Sequence, residues 1–295
     1  MRLRAPLRPR RRALRNRGAR ARHGRRPARR LLAAAPGQEG SVKGLELRGV
    51  TIRYGGQVAV RDVSLALPEG RALGIVGESG SGKSSLGRVM AGLQAPTSGA
   101  AMLDGVDLRR IQTPGRASPA QLIFQNPLAA LNPRRAVRLA LTEALAGRGI
   151  TGARADDAAE EHLALVGLSP AHGARRPSEL SGGQRQRVAI ARALAAEPRL
   201  IVADEITSAL DVSVQASVLN LLVELQHARG FTLVFISHNL PAVRYVADDI
   251  LVMRHGEAVE HGPAETLTAS PSHPYTRALL DAAPRLSPQP SPEIP

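Results

Sequence analysis

Apolar and polar positions alternate along Leu45-Glu46-Leu47, along Val50-Thr51-Ile52, and from Val58-Ala59-Val60 to Leu67. A period of two is the mark of half-buried strands. Ala72-Leu73-Gly74-Ile75-Val76 is instead a short unbroken apolar run, after which Leu86, Val89, Met90 and Leu93 recur at helical spacing. The order is strand, turn, helix. Residues 94–121 read as short strands and turns, among them Ala101-Met102-Leu103 and the Asp104-Gly105 turn, and Leu122-Ile123-Phe124 predicts a further strand. Between Pro133 and Pro177 the pattern turns helical. Val137, Leu139, Leu141, Ala144 and Leu145 form one segment and Ala159, Leu163, Val166 and Leu168 another, with Pro and Gly breaking them at 147–152 and 167–177. Val188, Ile190, Ala191 and Leu194 predict another helix. Two apolar strands follow, at 200–203 and 231–236, separated by a helix through Val214, Val218, Leu221, Leu222 and Leu225. Strands alternating with helices predict an α/β fold, here with a helical insertion.

Composition narrows this picture. A chain of 295 residues allows one large domain or two modest ones and buries a sizeable core. It has no Cys, which excludes disulfides and thiolate-held metals or iron–sulfur clusters. No apolar run approaches the ~18 residues needed to cross a bilayer, so a membrane role calls for a partner. The net charge of +15 is uneven: residues 1–30 hold fourteen Arg and no acid, leaving 15 − 14 = +1 for the rest. Residues 1–41, rich in Arg, Pro, Gly and Ala, are expected to be disordered. An electrostatic arm for nucleic acid or anionic lipid is one reading, and a targeting peptide another. Against targeting, residues 1–40 contain no Ser and no apolar stretch of adequate length. The preferred reading is a non-functional extension, with translation from a misplaced upstream start as one origin for it.

The chemistry gathers at the turns. Gly77-Glu78-Ser79-Gly80-Ser81-Gly82-Lys83-Ser84-Ser85 joins the apolar strand to the helix after it, the context that a phosphate-binding loop requires. Its glycines let main-chain N–H groups face an anion, Lys83 is placed to reach the β- and γ-phosphates, and the Ser84 hydroxyl to ligate Mg²⁺. The helix adds its positive dipole end. Lys83 is one of only two lysines, the other being Lys43, in a chain whose basic positions are otherwise Arg. A strand ending at Gln125 offers an amide to ligate Mg²⁺ or position water. Leu180-Ser181-Gly182-Gly183-Gln184 precedes a helix that Ser181 can cap; capping does not account for the Gly-Gly, and a second phosphate-recognising helix N-terminus is favoured. The strand at 200–203 runs into Asp204, suited to the outer shell of Mg²⁺, and Glu205, suited to orient and deprotonate attacking water. Ser208-Ala209-Leu210-Asp211 comes next, and the strand at 231–236 ends at Ser237-His238, with His238 placed as a γ-phosphate sensor. Ligands of open α/β sheets lie at such strand ends. Tyr54, one of six aromatics, has two readings here: an exposed ring that stacks on adenine, or the packing role that a Tyr at a strand end more often has.

Taken in order, these motifs make residues 45–262 resemble the ATPase subunit of an ABC transporter. Residues 77–84 match Walker A, Gln125 the Q-loop, 180–184 the signature, Asp204 the end of Walker B, Glu205 the catalytic glutamate, 208–211 the D-loop and His238 the H-loop; Tyr54 falls at the family's adenine-stacking aromatic. A narrower likeness rests on Phe124-Gln125-Asn126-Pro127, Leu131-Asn132-Pro133-Arg134, residues 208–216 and His273-Pro274-Tyr275-Thr276-Arg277-Ala278-Leu279-Leu280, which resemble oligopeptide/dipeptide import ATPases. The Gln-Asn-Pro form is closer to the second of two paired ATPase subunits. Ile206 and Asn239 depart from the family's usual Pro and Asp without removing a catalytic group.

The resemblance implies a P-loop NTPase (RecA-like) α/β core with an N-terminal antiparallel β subdomain and an inserted α-helical subdomain. The implied division is 1–41 as extension, 42–262 as ATPase domain with the insertion at about 132–178, and 263–295 as a C-terminal extension. It implies ATP and Mg²⁺, and a head-to-tail dimer in which Ser181, Gly182, Gly183 and Gln184 of one subunit cap ATP on the other. Two membrane-spanning permease subunits, a second ATPase subunit (the same chain or a related one) and, indirectly, an extracytoplasmic solute-binding protein are the implied partners, at the cytoplasmic face of the inner membrane. No specific nucleic acid is expected. Importers and exporters of other solutes, and ABC ATPases acting on DNA or ribosomes, are the rivals; the last usually carry a coiled-coil insertion or tandem ATPase domains.

Overall fold

The structure, a computed structural model, describes residues 43–111 and 115–282. The Arg-rich stretch expected to be disordered, and the end of the expected C-terminal extension, lie outside the described residues. Strands β1 (Gly44–Tyr54) and β2 (Gln57–Pro68) form a hairpin across Gly55-Gly56, with Tyr54 opposite Gln57. The two short runs expected at 45–47 and 50–52 are one strand. Its register shifts between Leu47 and Val50, and this irregularity changes the phase of the alternation, so that Leu45, Leu47, Val50 and Ile52 are all buried.

The chain continues through β3 (Ala72–Val76), α1 (Lys83–Met90), β4 (Ser98–Leu103), β5 (Val106–Asp107), α2 (Leu108–Ile111) and β6 (Ala120–Ile123). Helices α3 (Val137–Ala146), α4 (Ala153–Leu165) and α5 (Gly182–Ala195) then precede β7 (Leu200–Asp204), α6 (Val212–Arg229), β8 (Thr232–Ile236) and α7 (Leu240–Val246). Strands β9 (Asp249–Arg254) and β10 (Glu257–Pro263) and helices α8 (Ala264–Ala269) and α9 (Pro274–Ala282) complete it.

Three expectations change. Helix α1 stops at Met90, so Leu93, placed on its apolar stripe, lies beyond it and is 54% exposed. The single turn α2 lies where only strands and turns were expected; the Asp107 carboxylate starts it by accepting the Arg109 N–H at 2.9 Å. Helix α4 begins at Ala153, ahead of the recognised stripe, and Leu168 lies past its end. Gly167 (φ 71°) ends it, with Gly167 N–H bonded to Ala164 and Leu168 N–H to Leu163, each at 2.9 Å, the Schellman arrangement.

The strands form two sheets. One is four-stranded and antiparallel, in the order β2-β1-β4-β5. The other is six-stranded, in the order β10-β9-β3-β8-β7-β6, parallel from β9 to β6 with β10 antiparallel at the edge. The parallel strands are largely apolar because both faces are covered, with polar residues at their ends and at Gln121 of β6. Successive residues serve different cores: Ile201 and Ala203 of β7 and Leu233 and Phe235 of β8 join α3 to α7. Leu200, Val202, Val234 and Ile236 join α1 and the antiparallel sheet.

Gly74 lies on the α7 side of β3, where a Cβ would come within 2.1 Å of Val243 Cγ1 and 3.0 Å of Ala247 Cβ. Gly74→Val should therefore force α7 off the sheet and cost about 1–3 kcal/mol or more. A melting temperature equal to wild type would show that α7 does not pack this closely.

The strand register aligns the polar residues. Ile123 pairs with Ala203, Ala203 with Phe235, and Ile75 and Asp204 each pair with Ile236. The residues following β3, β6, β7 and β8 therefore leave the sheet at the same, carboxyl end.

Candidate functional site

The loop 77–82 leaves β3 and turns into α1. Gly77 (φ 152°) fits because a Cβ there would stand 2.1 Å from Met253 O; Gly82 (φ 98°) caps α1 and would stand 2.4 Å from Ala59 O. Lys83, 4% exposed, folds back over the loop, its Nζ donating to Gly77 O at 2.8 Å and Glu78 O at 2.7 Å, with Ser81 Oγ at 3.4 Å. Burial pulls the ammonium below its ordinary pKa, and the carboxylates of Glu205, Asp204 and Glu78 oppose that shift.

At the next strand end the Ser84 hydroxyl donates to Asp204 Oδ1 at 3.0 Å. Burial raises the Asp204 carboxyl above its usual range. The Ser84 hydrogen bond works against this, the charge of Glu205 adds to it, and Arg88 and Lys83 oppose it. Glu205 then takes a left-handed turn (φ 48°), which is unusual for a side chain of its size, while its N–H bonds Ile236 O at 2.9 Å. That turn brings its carboxylate to two neighbours, with Gln125 Nε2 donating to Oε2 at 3.1 Å and His238 Nδ1 lying 3.5 Å from Oε1. Gln125 also donates to Ser208 Oγ at 3.1 Å, and Ser208 Oγ donates to Glu205 O at 2.9 Å. Three separate stretches, at Gln125, 205–208 and 236–238, thus meet at one residue with a left-handed backbone.

Between the loop and these residues lies a cavity of about 470 Å³, lined by Tyr54, Ser79, Lys83, Ser84, Gln125 and Glu205 among others. Tyr54 is 48% exposed, with its hydroxyl 2.7 Å from Gln94 Oε1 and 3.3 Å from Ser85 Oγ. Ser84, Gln125 and Asp204 offer a hydroxyl, an amide and one carboxylate. Among the described residues no cluster of three His, Cys, Asp or Glu side chains is placed to hold a metal ion. A hard, sparse oxygen set fits Mg²⁺, which keeps water and substrate phosphates in its shell, better than it fits a metal caged by protein.

Residues 181–184 do not line that cavity. Ser181 Oγ accepts the Gln184 N–H at 3.2 Å and Gln184 Oε1 accepts the Ser181 N–H at 3.0 Å, a capping box that opens α5. The glycines also have a packing reason that the sequence did not reveal. A Cβ on Gly183 would stand 2.4 Å from Val214 Cγ1, and one on Gly182 3.2 Å from Leu210 Cδ2. The Gly-Gly pair thus lets α5 approach the start of α6, whatever else it does. Ala209 is exposed, Leu210 half-buried, and Asp211 stands at the N-cap position of α6 without a side-chain capping bond. Of the two departures noted in the sequence, Ile206 is buried in the helical core and Asn239 caps α7, accepting the Ala242 N–H at 3.2 Å. Tyr275 is the contact that sequence reasoning missed: its hydroxyl accepts the Glu78 N–H at 3.0 Å, and no periodicity announces a bond across 197 positions.

A glycine-bounded loop between strand and helix, facing carboxylates at neighbouring strand ends, defines a P-loop nucleotide hydrolase of the α/β class. The sequence model of the ABC transporter family matches residues 60–208, and that of the oligopeptide/dipeptide transporter C-terminal region matches residues 259–294. The chain is 46% identical to the di/tripeptide transport ATP-binding protein DppF of Pseudomonas aeruginosa over 79% of its own length and 73% of that protein's. It is 44% identical to the oligopeptide transport ATP-binding protein AppF of Bacillus subtilis over 79% and 72%. A dimeric ATP-binding cassette in a post-hydrolysis state, bound to ADP and Pi, superposes with a TM-score of 0.65 at 30% identity, covering 75% of this chain and 98% of that one. The chain belongs to the ABC transporter family of ATP-binding proteins, and its activity is ATP hydrolysis.

Proposed function

We propose that this chain is the subunit that binds and hydrolyses ATP to drive an importer of peptides or a related small solute. The observation that carries the ATPase half is the meeting of Gln125, Glu205, Ser208 and His238 across the cavity from Lys83. The solute class rests on the peptide-transport relatives and on the matching C-terminal region. Among the described residues no helix is long and apolar enough to cross a membrane. The role therefore calls for two membrane-spanning permease subunits, with this chain peripheral at their cytoplasmic face and a solute-binding protein on the other side.

In this reading the nucleotide lies over loop 77–85, with adenine against Tyr54. Lys83 exchanges its carbonyl partners for the β- and γ-phosphates. Ser84, Gln125 and Asp204 would hold Mg²⁺, which neutralises phosphate charge when bound. Glu205 takes the proton of the attacking water, Gln125 and His238 orient the Glu205 carboxylate, and His238 faces the γ-phosphate. Ser181, Gly182, Gly183 and Gln184, spent on a helix start within their own chain, present that N-terminus to ATP held by a second subunit, and the D-loop 208–211 runs beside it. Closure of the pair over ATP and its reopening after hydrolysis move the permease, because open and closed states bind the nucleotide with different affinity.

Purification from membranes with the native partners attached tests this. Two permease subunits should accompany the chain, and the complex reconstituted with its solute-binding protein should hydrolyse ATP faster when di- or oligopeptides are added. Stimulation by a non-peptide solute alone would overturn the peptide assignment, and recovery without any membrane-spanning partner would overturn transport.

A further inference from the structure

Helix α9 is fixed to the rest of the fold at its first turn. Glu260 of β10 accepts the N–H of Ser272 at 2.7 Å and of His273 at 3.1 Å, His273 Nδ1 accepts the Tyr275 N–H at 3.1 Å, and Arg277 Nη2 donates to Ser272 O at 3.1 Å. Burial pushes the Glu260 carboxyl up, but the Ser272 and His273 N–H groups and the Thr276 side chain beside it outweigh that and hold the group below its ordinary range, although Thr276 Oγ1 makes no hydrogen bond of good geometry. An ionised carboxylate therefore anchors the helix start at neutral pH.

This anchoring delivers Tyr275, 7% exposed, to the outer side of the phosphate-binding loop. Its hydroxyl accepts the Glu78 N–H at 3.0 Å, and the guanidinium of Arg254, at the end of β9, lies 4.8 Å from its ring centroid. The carbonyl of the same residue, Glu78, accepts from Lys83 Nζ at 2.7 Å. Tyr275 and Lys83 thus grip the two sides of one residue. The turn between β9 and β10 adds a second brace, with Gly256 N–H donating to Ser81 O at 3.1 Å and Met253 O pressed against Gly77.

We infer that Tyr275 is a positioning residue for ATP binding: its hydroxyl sets the Glu78 peptide, and so the loop and Lys83, in the conformation that receives the phosphates. The C-terminal region thereby acts on nucleotide affinity in its own chain. Without that hydroxyl the peptides around Glu78 keep only their bonds to Lys83, which the phosphates must displace, and ATP must order the loop as it binds. The chemical step, carried by groups at the ends of β6 to β8, is untouched.

The test uses the full chain in its transporter complex and rests on the nucleotide lying over 77–85. Tyr275→Phe, which keeps the ring under Arg254, should raise the KM for ATP about 3- to 10-fold, the worth of one neutral hydrogen bond. The kcat at saturating ATP should stay within about twofold, as expected when binding rather than transition-state stabilisation is lost. Glu260→Gln should move KM the same way by loosening the anchor. Tyr245→Phe, whose hydroxyl bonds Asn220 instead, should leave both parameters unchanged. An unchanged KM in Tyr275→Phe, or a fall in kcat at constant KM, would overturn the assignment. ATP binding of wild-type strength in Lys83→Ala would overturn the placement of the nucleotide and this inference with it.

Discussion

Glu205→Gln should leave ATP binding intact and lower turnover by about 10²–10⁴-fold, the usual worth of a positioned base. The change is nearly isosteric, so the left-handed backbone at 205 and the contacts to its carbonyl and N–H persist. What disappears is the proton acceptor. The amide can still meet Gln125 and His238, so the cavity keeps its shape, and the proposed placement of the nucleotide over Lys83 and the loop is not disturbed. Binding without hydrolysis should accumulate the closed, ATP-loaded pair, visible as a dimer that persists with ATP and dissociates with ADP. Steady-state ATPase of the purified complex measures the first effect and size analysis the second. Turnover within a few-fold of wild type would remove Glu205 from the role of base. His238→Ala provides a comparison: it removes an orienting group while the carboxylate remains, so its loss of rate should be the smaller.

The parts of this arrangement that were legible in the sequence are those where one local rule decides the outcome. Ala72-Leu73-Gly74-Ile75-Val76 is a strand buried on both faces, and an unbroken apolar run of five says so directly. Gln125, Glu205 and His238 stand out in the sequence because each follows a mostly apolar run, and parallel strands with matched register put such residues at one end of the sheet. The strand order, in which β8 and β9 rather than β6 flank β3, has no local mark, because pairing joins strands far apart in the chain and β9 is not among the runs read as strands from the sequence. Nor did it reveal that β1 is continuous, since an irregularity at Arg48-Gly49 looks like a turn when only alternation is read. The reason for Gly183 was hidden for a different cause: the methyl that excludes a Cβ belongs to Val214, 31 positions on. Long-range contacts of this kind, with Tyr275 over the Glu78 peptide as the extreme case, leave no periodic trace.

The second large effect concerns the partner subunit. Ser181 is exposed, does not line the cavity of its own chain, and opens a fourteen-residue helix whose N-terminus is suited to an anion. If that anion is ATP on a second subunit, Ser181→Arg should abolish hydrolysis at the partner's loop while ATP binding to this chain's own loop is preserved. Lys83→Ala should do the reverse, weakening nucleotide binding at this chain's site and sparing the partner's. Ser181→Arg also removes the helix cap, which alone costs about 1 kcal/mol. Ser181→Asp separates the two causes. The carboxylate still caps α5 through the Gln184 N–H, but it sets a negative charge against the phosphates, so it should keep stability and lose hydrolysis as completely as the Arg variant. Labelling each subunit with a photoreactive ATP analogue reports occupancy site by site. The likeness of Gln125-Asn126-Pro127 to second subunits favours a related but distinct partner, in which case this chain alone should show little cooperative ATPase. Robust cooperative hydrolysis by the isolated chain, with both sites labelled in a stable dimer, would establish a homodimer. Loss of labelling on this chain's own loop in Ser181→Asp would place the contact in cis and end the shared-site reading.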